Sequence, residues 1–416
     1  MTDIPTVLAF GAGGPRSHVA DWSRCLAEQT HARGLGLIVA DLEENLHSVI
    51  DLPITGTSIT DYRDDDDCLK TATTVARQHD IIAVVGFREY SLRPTALAAK
   101  LLSKPWNSPE AISTTRTKDL CRETLRAAGL AQPGWMVFHE ESAAGLYLRN
   151  RPGRWVVKPR DAFGSQGVAL AQPLGADAEH LAAQALRFSD RIIVEEFVDG
   201  DEYSVEGIFI DGAPVVLGIT AKFRSPLPYF VETGHLQPAP LAMGLETKLI
   251  DLARSALIAV GLTHSLFHLE AWVTPDGNVV CGEIHARTGG DWIHMLTSYR
   301  RPGLDLFGLV VDDVLGLHPR IPEADPSRSA AVWVATVPVG TIKSITGEQV
   351  ALSTPGCLAV DVVASIGDPV GALTDSFNRG ALVVAGTDEP TGAMVIAKAA
   401  AASITFEMDT TVAGSL

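Results

Sequence analysis

Two glutamates and two histidines in SLFHLEAWVTPDGNVVCGEIHART, residues 265–288, are spaced to do chemistry together. Apolar residues alternate with them on both sides of Asp276–Gly277, a dipeptide that favours a two-residue type I′ hairpin turn. With that turn Pro275 faces Asn278, and counting back by twos sets Glu270 opposite Glu283 and His268 opposite His285, all on one face. Cross-strand partners have Cβ atoms about 4.5–5.5 Å apart, where like charges are destabilising. A divalent cation between the carboxylates removes the repulsion, and magnesium takes one or two protein carboxylates while filling its other positions with water and phosphate oxygens. Glu270 and Glu283 are therefore candidates to hold metal on a nucleotide. Arg287 continues the alternation from Glu283 and is a candidate to stabilise developing negative charge beside it. Taken alone, the pair also fits a solvent-facing hairpin of mixed charge, so the neighbouring motifs decide.

In WVVKPRDAFGSQGVALA, residues 155–171, apolar residues flank Lys158, the pattern of a strand that delivers one cation into a protected site. Gly164, Ser165, Gln166 and Gly167 follow, and such a turn lets backbone N–H groups approach phosphate oxygens. It is not a P-loop, because it lacks G-K-[ST] and joins strand to strand. RIIVEEFVDGDEYSVEGIFI, residues 191–210, reads as a strand ending in Glu195, Glu196, Phe197 and Val198, a turn through Gly200, and a new strand from Glu202. Backbone groups there suit an adenine edge, and a carboxylate suits ribose hydroxyls.

Other elements must position these residues. Residues 5–40 give an apolar strand from Pro5 to Phe10, a Gly-rich turn, a helical pattern and a second apolar run from Leu35 to Ala40, a βαβ opening. IIAVVGFREY, residues 81–90, is another buried strand, with Arg88 and Glu89 at the C-terminal edge where open parallel sheets bind ligands. The acid run DYRDDDDCLK reads as a loop or helix start rather than a calcium site. STTRTKDLCRETLRAAGL from Ser113 reads as one helix carrying Lys118. Strands separated by turns such as Asp211–Gly212 then dominate, and residues beyond about 325 read as β-rich.

Composition narrows the partners. A chain of 416 residues that is 46% hydrophobic and 20% charged is a folded globular protein of more than one domain. With 50 acidic against 33 basic side chains the net charge is −17, so neither nucleic acid nor an anionic membrane is an expected partner; small molecules are. Five cysteines without a C-x-x-C indicate neither a disulfide framework nor a zinc knuckle and fit a reducing compartment. No basic residue precedes the first short apolar run, and no apolar stretch reaches about 18 residues. A cytoplasmic location is the expectation.

Taken in chain order, the helix with Lys118, the strand with Lys158 and its Gly-rich loop, the E-E-F-V-x-G-x-E hinge and the paired acids resemble the ATP-grasp superfamily from about Val7 to His318. The resemblance implies an α/β (α+β) fold: a Rossmann-like parallel-sheet domain over 1–112, a central lid subdomain over 113–190, a catalytic body over 191–324 and a β-rich C-terminal module over 325–416. It implies that Lys118 and Lys158 contact ATP phosphates beneath the loop Gly164 to Gly167, that Glu195, Glu196, Phe197 and Val198 meet adenine, and that Glu202 meets ribose. Glu270 and Glu283 would hold Mg2+, two ions by analogy, with Mn2+ an alternative. The family usually has Asn where this chain has His285; an imidazole suits magnesium less well, so His285 is assigned to metal, to its outer sphere or to phosphate.

Within the superfamily the chain is similar to bacterial L-amino acid ligases, the bacilysin-type dipeptide synthetases. The likeness rests on PYFVETGHLQPAP at 228–240, on Glu283 and Arg287 four apart, and on the G-G-D-W-I that follows. It implies that Glu232 and His235 hold amino acid substrates and that Arg287, with Lys158 and Glu283, carries the catalysis. Gly290, Trp292 and Met295 would wall a side-chain pocket, with core packing the alternative for Trp292, and Arg88 and Glu89 would face substrate. The implied reaction is ATP-dependent amide formation between two amino acids through an acyl phosphate, by an enzyme whose relatives suggest a homodimer. Carboxylation, ligation to another amine, and nucleotide binding without turnover are the alternatives. A dinucleotide-binding reading of GAGGPRS at 11–17 ranks below these, because Arg16 stands where the fingerprint wants glycine.

Overall fold

A computed structural model describes residues 4–14 and 16–409. The chain opens with a four-stranded parallel sheet in the order Gly56–Ile59, Gly36–Asp41, Thr6–Phe10, Ile81–Gly86. Thr6–Phe10 and Gly36–Asp41 are buried along their whole length, as unbroken apolar runs must be when helices cover both faces of a sheet. Arg88 and Glu89 lie just past the C-terminal end of Ile81–Gly86. The acid run begins the helix Asp65–Ala76: Asp64 caps it by accepting from the Asp67 N–H at 2.9 Å, and three aspartates occupy its first turn, where the helix dipole favours them.

The stretch read as one helix from Ser113 is two, Pro109–Arg116 and Lys118–Ala127. Thr117 between them is extended, at φ −103° and ψ 102°. The break puts Lys118 in a first helical turn, where its N–H donates to the Arg160 carbonyl at 3.1 Å.

A second sheet has the order Trp135–Phe138, Ile192–Glu196, Trp155–Pro159, Ala169–Leu170. Leu148, Val157, Ala182 and Val194 form the core between it and the helices Glu141–Arg149 and Ala178–Ala185. Ile192–Glu196 is an interior strand of this sheet, so Glu195 and Glu196 share it with Lys158.

The third sheet is antiparallel and eight-stranded, in the order Val279–His285, Leu266–Val273, Asp201–Ile210, Ala213–Arg224, Glu232–Gln237, Ser329–Thr336, Arg379–Thr387, Cys357–Val362. Its last three strands come from beyond residue 325, so much of the C-terminal region is continuous with this sheet. Ser329–Thr336 covers what would otherwise be an open edge at Glu232–Gln237. A small sheet of Pro369–Val370, Gly340–Thr346 and Thr405–Asp409 completes the region.

The two Asp–Gly turns differ. Asp211 and Gly212 have φ of 51° and 75°, as a type I′ turn requires. At Asp276–Gly277 only the glycine is positive, at 76°, and the Thr274 N–H donates to the Asn278 carbonyl at 3.0 Å across a three-residue loop. That shifts the pairing by one residue, with Val273 opposite Val279. A bulge then shifts it back: Gly282 and Glu283 together oppose Glu270, and His268 faces His285. Gly282 makes the bulge possible, since a Cβ there would lie 2.8 Å from the Glu270 carbonyl oxygen. Among the described residues no helix is long and apolar enough to cross a membrane.

Candidate active site

A cavity of about 490 Å³ opens where the three large sheets meet. Of the residues singled out in the sequence, its wall includes Glu89, Lys118, Lys158, Gly164, Ser165, Gln166, Glu195, Glu196, Phe197, Val198, Glu202, Glu232, Glu270, Glu283, His285, Arg287 and Gly290. Gly167, His235 and Trp292 are off it. This volume falls in the range of small-molecule sites, roughly 300–1,000 Å³.

From the second sheet Trp155–Pro159 delivers Lys158 into the cavity, with Nζ 2.8 Å from Glu195 Oε2 and 3.3 Å from Glu283 Oε1. Lys118 Nζ is 3.7 Å from the same Glu283 oxygen and donates to the Ala162 carbonyl at 2.7 Å. Burial pushes the Lys158 ammonium down in pKa, but Glu195 and Glu283 outweigh it and the net shift is upward. For Glu283 burial pushes upward and the two lysines win, holding the carboxyl below its ordinary value. Glu195, assigned to adenine from sequence, has its carboxylate committed elsewhere. Burial opposes its ionisation, yet Arg122 and then Lys158 hold it at about 2. Arg122, not anticipated, is fully buried; its Nε donates to Glu195 Oε1 at 2.7 Å and its Nη1 to the carbonyls of Cys281 and Gly282 at 3.0 and 2.8 Å.

A second unanticipated cation, Lys222, sits beneath three carboxylates. Its Nζ is 3.3 Å from Glu202 Oε1 and contacts Glu232 and Glu270 directly. Those three acids are close enough to surround a metal ion, but the ammonium already holds their centre. Burial pushes Lys222 downward and the glutamates more than compensate, raising it well above its ordinary value. Lys222 lies in the strand Ala213–Arg224 among apolar residues, the same signal that drew attention to Lys158.

Glu270 and Glu283 both face the cavity and are close enough for Glu270 to push the Glu283 pKa upward. Burial favours the neutral form of Glu270 too, but Lys222 and then His268 hold it well below its ordinary value. Two ionised, mutually repelling carboxylates beside lysines form a donor set that fits a hard divalent cation. Each acid has its own histidine: His268 Nε2 is 3.3 Å from Glu270, and His285 Nε2 is 3.8 Å from Glu283. His268 Nδ1 in turn meets Glu206 at 2.9 Å; burial lowers this imidazole, but Glu206 lifts it to about 9. His285 Nδ1 meets Glu89 at 3.2 Å.

At the opposite end Arg287 donates from Nε to Glu89 Oε2 at 2.7 Å and from Nη1 to the Thr288 carbonyl at 2.8 Å. Arg116 reaches the other Glu89 oxygen at 3.3 Å. Burial pushes Glu89 upward, and Arg287, His285 and Arg116 together hold it well below its ordinary value.

His235 and Trp292, expected against substrate, are both buried behind the wall. His235 Nε2 lies 3.4 Å from Asp291 Oδ2, so it reaches the cavity only through Asp291. Trp292 packs on Leu296, Val332 and Val334 with Met295 beside it, and its Nε1 donates to Asp361 at 3.2 Å. The reason is local: Asp291 and Trp292 have φ of 51° and 66°, a left-handed pair that turns the aspartate outward and the indole inward. Arg379, from a C-terminal strand and also unanticipated, grips Asp291 with both Nη atoms, one at 2.7 Å. Gly167 points away from the cavity toward Ala185 and Phe188. Burial raises the thiols of Cys281 and Cys121 to about 12 and about 11, and no cysteine lines the cavity.

Comparison with known proteins bears on this geometry. An ATP-grasp domain matches residues 152–295, and the family described as L-amino acid ligase C-terminal domain 2 matches residues 333–409. Carnosine synthase 1 of Mus musculus is 24% identical over 363 residues, 80% of this chain and 42% of its own. Alanine–anticapsin ligase of Bacillus subtilis is 25% identical over 274 residues, 60% of this chain and 57% of its own. The chain thus spans about half the length of these relatives. The crystal structure of L-amino acid ligase from Bacillus licheniformis shares the fold, with a TM-score of 0.81 over 99% of this chain and 100% of that one at 18% identity.

Proposed function

The chain is an ATP-grasp ligase with an L-amino acid ligase C-terminal domain, and from that premise we propose that it joins the carboxylate of one L-amino acid to the amine of a second, releasing ADP and phosphate. The observation that supports this most is the convergence of Lys118, Lys158, Glu270 and Glu283 on a cavity that also presents Glu232 and Arg287. In this reading the lid runs from residue 113 through Glu196, and the body takes in the C-terminal strands.

ATP lies with its phosphates against Lys118 and Lys158 and its base against Phe197 and Val198. Mg2+ held by Glu270 and Glu283 neutralises phosphate charge when bound. Glu232 receives the ammonium of the first amino acid, whose carboxylate attacks the γ-phosphorus; the bond to the ADP oxygen breaks and an acyl phosphate forms. The second amine adds to the acyl carbon, and collapse of the tetrahedral species expels phosphate. Arg287, oriented by Glu89, stabilises the oxyanion, a contribution of about 3–4 kcal/mol for one such donor. The Gly-rich loop, closing over the site, keeps water from the acyl phosphate. No cysteine is required.

Phosphate release screened over pairs of L-amino acids, with mass spectrometry of the products, tests the proposal. Glu283→Gln should abolish amino-acid-dependent ADP formation. Arg287→Ala should lower turnover roughly 10²–10³-fold while ATP affinity holds. ADP release that ignores amino acids, or requires bicarbonate, refutes the ligase reading; an unchanged rate in Glu283→Gln removes the metal assignment alone.

A further inference from the structure

In a chain with 50 acidic and 33 basic side chains, Arg16, Arg88 and Arg379 converge on one end of the cavity. Two of the three have internal partners. Arg379 is matched by Asp291. Arg88 donates to the Gly13 carbonyl at 3.0 Å, lies over the Tyr62 ring and has Asp41 at 3.9 Å. Arg16 has neither: among the described residues no carboxylate lies within ion-pair distance of it, and its guanidinium rests 4.9 Å over the Phe377 ring. The other nearby acid, Asp361, is taken by His18 at 3.5 Å and by Trp292.

Arg16 also stands at the N-cap of the helix Ser17–Ala32, which has no acidic residue in its first turn and no side-chain cap. Helix starts favour Ser, Thr, Asp or Asn at that position and acids just after it, because the dipole and the free N–H groups there are positive. Arg16 is solvent-exposed at this N-cap, lines the cavity with two more arginines and has no carboxylate partner among the described residues, so an anion entering the cavity can reach it.

We propose that this arginine-lined end binds a carboxylate of the amine-donating substrate. The assignment rests on the ligase reading for its place in the reaction. Arg16 supplies the free guanidinium, Arg88 a second charge held by Tyr62 and Gly13, and Trp22 and Phe377 the apolar walls. The carboxylate is that of an acidic side chain or the α-carboxylate of the donor, and the test separates the two.

Phosphate release is measured for the whole protein and for Arg16→Gln and Arg16→Lys with aspartate, glutamate, asparagine, glutamine and aspartate α-amide as amine donors. Binding of succinate and of succinamide, without ATP, is followed separately by tryptophan fluorescence, since Trp22 lines this end. In Arg16→Gln the KM for anionic donors should rise roughly tenfold or more, the loss of one charged hydrogen bond, with KM for ATP unchanged and Arg16→Lys recovering most of it. A rise for aspartate, glutamate and aspartate α-amide that spares asparagine and glutamine assigns the side chain. A rise that extends to asparagine and glutamine but spares the α-amide assigns the α-carboxylate. Donor KM values that Arg16→Gln leaves unchanged, or succinate binding equally to the protein and to Arg16→Gln, overturn the proposal. If no amino acid pair releases phosphate, the ligase reading fails by itself, and the succinate titration still decides the anion site.

Discussion

Arg122 donates from Nε to Oε1 of Glu195 at 2.7 Å, and both side chains are almost wholly buried. The same guanidinium donates to the carbonyls of Cys281 and Gly282, so one residue of the helix Lys118–Ala127 ties the sheet of Ile192–Glu196 to the bulge that presents Glu283. Arg122 fixes Glu195, and Glu195 fixes Lys158. Arg122→Met leaves a buried carboxylate short of its fork and two carbonyls without a donor, at a cost of about 3–5 kcal/mol. Arg122→Lys should recover little of this, because one ammonium does not reproduce the planar fork. Chemical denaturation of the three proteins reads the difference directly; equal midpoints would contradict it.

The same ion pair makes stability depend on acid. The Glu195 carboxyl falls from an ordinary 4.5 to about 2 in the folded chain, as Arg122 and Lys158 overcome the opposing effect of burial. A group depressed on folding contributes stability that is fully present above its unfolded value and is lost as pH falls through its folded value. Glu89 and Asp291, both held well below their ordinary values, act in the same sense. The denaturation midpoint should therefore fall steeply between pH 4.5 and about 2. Glu195→Gln, weaker at neutral pH, should show a shallower fall over that range. Parallel curves would mean that the carboxyl titrates normally.

What the sequence disclosed was local pattern. Alternation marked the hairpin of Glu270 and Glu283, apolar flanks marked Lys158, and the ends of buried runs marked Glu89. Pairs distant in sequence left no such trace: Arg122 is 73 residues from Glu195, and Arg379 is 88 from Asp291. Lys222 was readable by the argument used for Lys158. The hairpin was reached through two departures that cancel. Asp–Gly suits both a type I′ turn and a three-residue loop, since each needs a glycine with positive φ. The glycine at 282, inside a strand pattern, was the signal for the bulge that restored the register. For Trp292, pocket wall and core were both open from its place after Gly289 and Gly290, and the left-handed turn at Asp291 sends it to the core.

That turn leads to a separation of functions that can be measured. Asp291 lines the cavity in a backbone conformation that non-glycine residues seldom adopt, and Arg379 from the strand Arg379–Thr387 holds it there. Arg379→Met removes the grip and leaves a buried carboxylate facing His235 alone. The turn should relax, and with it the neighbouring Gly290 and the cavity wall around it, where the proposed reaction seats the amino acids. Misplacement of that kind should cost roughly a hundredfold in kcat/KM for amino acids. Lys118, Lys158 and the hinge Glu195 to Val198 belong to other elements, so displacement of a fluorescent nucleotide should give the same ATP affinity as in the parent protein. Arg379→Lys, which keeps the charge but not the fork, should fall between the two. A matched loss of nucleotide affinity would mean that Arg379 holds the whole body together rather than the substrate turn.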